Sequence, residues 1–144
     1  MVRNGGKRTA EEQPPMHADT RRYETDKVTE AIVGCAYKVC NTLGCGFVEK
    51  VYENALVLEL RKSGLKVEQQ RNVNVLYDGV VVGEFAADLL VEDRVIVELK
   101  AAKALDEVHV AQCLNYLKAS GLHVGLLLNF GRPRPELKRI VDRF

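Results

Sequence analysis

Asp88, Glu98 and Lys100 have the types and spacing that could do chemistry; they lie in FAADLLVEDRVIVELK, residues 85–100. This stretch reads as two short apolar strands joined by a polar turn of Glu92, Asp93 and Arg94. Side chains alternate along a strand, so Glu98 and Lys100 share one face while Val95, Val97 and Leu99 take the other. A three-residue turn sets Val91 opposite Val95 and Asp88 opposite Glu98, with Cβ atoms roughly 5 Å apart. Carboxylates that close repel unless a cation lies between them. The pattern predicts a divalent-metal site with the Lys100 ammonium beside it. The plainer alternative is a solvated Glu98–Lys100 ladder on an open sheet face.

The flanking sequence supplies elements to position these groups. A helix is expected from Thr25, its N-cap, with Val28, Ile32, Cys35 and Val39 forming an apolar stripe and Gly44 closing it. A second helix is expected over residues 48–62, with Val51, Ala55 and Leu58 inward and Glu49 and Tyr52 displayed together. Residues 66–77 and 80–91 read as a hairpin about Asp78-Gly79, and residues 95–101 as the third antiparallel strand. A third helix over residues 105–120 carries His109, Gln112 and Tyr116 on one face and stops at Gly121. Residues 122–130 are almost wholly apolar, as in a strand covered on both faces, and residues 137–144 could add an edge strand. The layout is α/β, a mixed sheet flanked by helices. Residues 1–22 are expected to be a disordered lead-in, and residues 23–144 a single domain.

Composition narrows the function by exclusion. The net charge of +1 over 144 residues gives no long-range pull on nucleic acid or anionic membrane, so such a partner needs a local patch. Arg132, Arg134, Lys138 and Arg139 form the one dense basic cluster, equally readable as a solvated tail. No apolar run approaches the roughly 20 residues that span a bilayer. Nothing in the first residues reads as a secretory signal, so a cytoplasmic protein is expected. Cys35, Cys40, Cys45 and Cys113 lack the spacing of a zinc site or a disulfide framework and read as buried or semi-buried small hydrophobes in a reducing compartment.

The segment GFVEKVY, residues 46–52, resembles the signature of the GxxExxY protein family. The resemblance continues through Asp88, the Glu98-Leu99-Lys100 triplet, QCLNY at 112–116 and GLLLNFG at 125–131. That family looks like a compact branch of the PD-(D/E)XK nuclease superfamily, and the Gln112–Tyr116 pair resembles nucleases of the RecB exonuclease type. Ala87 stands where the superfamily usually has proline before the aspartate. The iron–sulfur cysteines of some relatives have no counterpart here.

The resemblance implies a restriction-endonuclease-like core and Mg²⁺-dependent hydrolysis of phosphodiester bonds, with Mn²⁺ able to substitute. Asp88, Glu98 and the Leu99 backbone carbonyl would hold the metal, and Lys100 would orient or deprotonate the attacking water. Glu49 would bind the metal directly or through water, while Gln112 and Tyr116 would touch the phosphate backbone or brace Lys100. Arg132, Arg134 and Lys138 are candidates for nucleic-acid contact, with DNA favoured over RNA and a homodimer or protein partner open. Two other functions stay open: a non-catalytic nucleic-acid-binding or accessory module, and hydrolysis of a small nucleotide.

Overall fold

A computed structural model describes residues 14–143, with side chains from Thr20 onward. Its elements are α1 (Pro14–Leu43), α2 (Glu49–Lys62), β1 (Val67–Tyr77), β2 (Val80–Val91), β3 (Val95–Lys100), α3 (Glu107–Ser120), β4 (Val124–Asn129) and β5 (Glu136–Val141). The strands form one mixed sheet in chain order. Only the β3–β4 contact is parallel, and α3 is its crossover. That is the expected α/β architecture.

Two apolar layers hold the helices to the sheet. On one face Ile32 and Val39 of α1 and Leu56 and Leu60 of α2 pack on Leu89, Val97, Leu99 and Leu126. On the other, Cys113 and Leu117 of α3 pack on Ala87, Leu90, Ile96 and Leu127. All six residues of β4 are buried, as its unbroken apolar run requires. Each fully buried leucine or isoleucine contributes about 1.5–3 kcal/mol through area removed from water.

Three expectations need correction. The first helix begins at Pro14 rather than Thr25; prolines fit a first turn, and no later residue breaks the helix before Leu43. Thr25 is buried inside it, its carbonyl accepting from the Thr29 hydroxyl at 2.9 Å. Where the extension meets the expected helix, Glu24 pairs with Arg94 at 2.9 Å and Asp26 with Arg139 at 2.6 Å. Residues 14–22 of the expected lead-in are therefore helical, and residues 1–13 lie outside the described residues.

The inward face of α2 is also different. Val51 and Leu58 are exposed, whereas Tyr52, Leu56 and Leu60, four residues apart, face the core. Apolar residues surround this helix, so periodicity could not choose the face; Tyr52 does so. The third helix starts at Glu107, not Leu105. Asp106 caps it by accepting the Val108 and His109 N–H groups, and the His109 ring accepts back from the Asp106 N–H at 3.2 Å. The His109 ring is thus engaged in the cap of its own helix.

Where β3 ends, the chain is pinned from β4. The buried Asn129 amide accepts from the Ala102 N–H and donates to the Ala102 carbonyl, both at 2.9 Å. Phe130 N–H donates to the Lys100 carbonyl at 2.8 Å. The contact is so close that a Cβ on Gly131 would strike the backbone of Ala102. Gly131→Ala is expected to cost about 1–3 kcal/mol and lower the melting temperature by several degrees. Thermal unfolding checks this, and an unchanged midpoint would contradict it.

Candidate active site

The site lies where β2 and β3 stop pairing through their backbones. The ladder runs Val91↔Val95, Leu90↔Ile96, Leu89↔Val97, and the same register brings Asp88 opposite Glu98. There the side chains take over. Glu98 Oε2 accepts from the Asp88 N–H at 2.9 Å, and Asp88 Oδ2 accepts from the Leu99 N–H at 2.8 Å. Each carboxylate thus bonds the backbone of the opposite strand, which fixes both acids beside one notch in the sheet.

Their electrostatics follow from that position. Glu98 is 7% exposed, and burial, then the charge of Asp88, push its carboxyl up to about 8. The Asp88 N–H, Lys100 and Glu49 act on it more weakly, the first two holding it down and the third pushing it up. Burial likewise raises Asp88, against the Leu99 N–H bond and with the repulsion of Glu53. Lys100 holds both carboxyls down, so its ammonium lies within electrostatic reach of each. Leu99 points its side chain into the core behind the notch.

Helix α2 delivers a third acid. Gly44 and Gly46 adopt φ values of +70° and +116°, conformations that glycine reaches without strain. The turn they make is clasped by the buried Tyr52, whose hydroxyl donates to the Gly44 carbonyl at 2.6 Å and accepts from the Phe47 N–H at 3.2 Å. Tyr52 also stacks on Phe130, with ring centroids 4.9 Å apart. Glu49, the first residue of α2, is exposed and near enough to Glu98 to raise it.

Glu53 and Gln70 were missed in the sequence. Glu53 is 4% exposed and receives Lys50 at 3.1 Å, the Gln69 amide at 2.8 Å and the Gln70 amide at 3.2 Å. Gln70 also reaches Asp88 Oδ1 at 3.4 Å, linking α2 to the aspartate. Gln70 has φ +52°, which lets two successive glutamines turn toward one acid instead of to opposite faces. The sequence signal available was the four-residue step from Glu49 to Glu53; the backbone reversal has none.

From α3, Tyr116 stacks on Phe85 with centroids 3.8 Å apart, and burial, Glu98 and Asp88 raise its hydroxyl's proton affinity. Gln112 is exposed one turn earlier on the same helix and makes no hydrogen bond to the acids. Burial and Glu98 push the Cys113 thiol up to about 12. Arg132 and Arg134 are exposed in the loop before β5, and Lys138 is exposed on it. The Lys100–Asn129–Glu136 register places that loop at the notch end of the sheet, two strands away.

A profile of the PD-(D/E)XK nuclease superfamily matches residues 26–140. The chain belongs to that superfamily. No curated protein matches it significantly. Among solved structures, that described as the crystal structure of SSO0001 is similar, with TM-score 0.52 and 17% identity over 66% of this chain and 51% of that one. This likeness speaks for the fold. The chain spans about half of that protein's length.

PD-(D/E)XK nucleases use divalent metals, and the donors here suit one: two oxygen acids, half-buried and buried, whose mutual repulsion a cation would relieve. Among the described residues no three His, Cys, Asp or Glu side chains form a ready cage. Asp88 and Glu98 are the two side chains that would hold such a cation, with water completing its coordination. Without metal, the sign of the linkage is fixed. Glu98 titrates higher folded than unfolded, so its contribution is complete below about pH 4.5 and lost as pH rises through about 8. Melting temperature in chelator should fall across that window, Glu98→Gln should flatten the fall, and divalent ion should restore wild type. An equally steep fall in Glu98→Gln would contradict this.

Proposed function

We propose that this domain is a GxxExxY-type nuclease that hydrolyses phosphodiester bonds in DNA, using Mg²⁺ with Mn²⁺ able to substitute. The observation that carries the reading is the face-to-face pair Asp88 and Glu98 with Lys100 beside it. When bound, the metal supplies charge neutralisation at the scissile phosphate and acidifies water.

The remaining work falls to the chain. Asp88 and Glu98 hold the cation, with the Leu99 carbonyl as a third oxygen. Lys100 orients the attacking water, takes up or shields its proton, and offsets charge on the phosphate in the transition state. Glu49 reaches the same ion from α2, directly or through water. Tyr116, braced by Phe85, and Gln112 steady the phosphate backbone from α3. Arg132, Arg134 and Lys138 contact the polymer further along the same end of the sheet. The net charge of +1 suggests help from a partner in holding a long substrate. We place the protein in the cytoplasm. No described helix is long and apolar enough to cross a membrane.

Cleavage of single-stranded, duplex and flapped DNA and of RNA, with Mg²⁺ and with chelator, tests the proposal. Asp88→Asn and Lys100→Ala are each expected to lower the rate by roughly 100-fold or more while the protein stays folded. Metal-dependent cleavage at the wild-type rate in either variant would overturn it. Glu49→Gln should slow cleavage less, because that side chain is exposed.

A further inference from the structure

Between α3 and the β1–β2 hairpin lies a hollow of about 620 Å³, open to solvent and within the size range of ligand pockets. Val75, Leu76 and Phe85 wall it from the hairpin, and Ala119 from α3. Leu76 is 61% exposed and Val75 37%, so the described chain leaves this apolar wall uncovered. Asn115 and Lys118 line it from α3 with side chains that have no hydrogen-bond or ionic partner among the described residues. Lys118 is the only charged side chain in the lining.

Tyr116 joins this hollow to the notch. Its ring lines the hollow, flat against Phe85 with the two planes 11° apart. Its hydroxyl, at the other end of the same side chain, feels the charges of Glu98 and Asp88. A strand held at the notch therefore meets the hollow about one side chain's length away.

A phosphodiester strand carries matching groups at that step. A flat base packs on aromatic and apolar walls whatever its identity. The Asn115 amide offers a donor and an acceptor to a base edge, and Lys118 offers a cation to the next phosphate. A duplex cannot use the hollow without opening, because its bases are paired and stacked. Stacking also needs no long-range pull, which a net charge of +1 does not provide. We propose that the hollow is a base-binding subsite, taking one unpaired nucleobase beside the phosphate held at the notch, so that the substrate enters as a single strand or a frayed end. This rests on the nuclease reading for what the notch holds.

Binding of a short fluorescent oligothymidylate to the full chain in chelator, read by anisotropy, keeps the two questions apart because no cleavage is needed. Wild type should bind the single strand saturably and more tightly than a duplex of the same length. Ala119→Leu fills the hollow from a position outside the notch, and Asn115→Asp sets a negative charge in it. Each should weaken single-strand binding about tenfold with circular dichroism unchanged, and Ala119→Leu should leave duplex binding as it was. No saturable binding by wild type, equal binding of single strand and duplex, or a folded variant of either kind that binds like wild type overturns the proposal. Metal-dependent cleavage with no effect of these variants on binding removes the subsite and leaves the nuclease. The expected binding pattern without cleavage removes the nuclease and leaves the subsite.

Discussion

Two hydrogen bonds exchanged across a strand divergence set the terms for the rest of this molecule. Once Glu98 has accepted the Asp88 N–H, and Asp88 the Leu99 N–H, neither carboxylate can rotate away without leaving a backbone donor unpaired. The acids therefore stay close although burial and mutual repulsion both oppose their charged forms. A fold that keeps such a pair stores an affinity for positive charge at one point of the sheet. The nearby Lys100 answers it only in part.

The remaining architecture serves that point. Asn129 and Gly131 fix the chain just beyond Lys100, so the lysine leaves β3 in one direction. Tyr52 clasps the glycine turn and sets where α2 begins, and hence where Glu49 stands. The GFVEKVY segment thus divides by role: glycine and tyrosine build the turn, and the glutamate is presented by it. Glu53 and Gln70 close the circuit from α2 to Asp88.

The hairpin register was legible because the turn at residues 92–94 and strand alternation leave one way to set Asp88 against Glu98. The burial of β4 on both faces followed from an apolar run too dense for a half-exposed strand. What could not be read were features decided by non-local contact. Val51 and Leu58 are as apolar as the residues buried on α2, so only the Tyr52–Phe130 stack tells the inner face from the outer. The start of α1 was hidden because residues 14–22 carry no apolar period, and the pairs that fix the helix nearby, from Glu24 and Asp26, reach partners distant in sequence. Glu53 looks like any helix carboxylate until the reversed backbone at Gln70 brings two amides to it.

The central claim, that Asp88 and Glu98 together form a seat for a divalent cation, is tested most directly by calorimetric titration of Mn²⁺ and Mg²⁺ into wild type and Asp88→Asn. The account predicts saturable binding to wild type near pH 7, with heats that vary with buffer because a proton leaves Glu98, and affinity reduced by roughly tenfold or more in the variant. Equal binding by both proteins, or none by wild type, would contradict it.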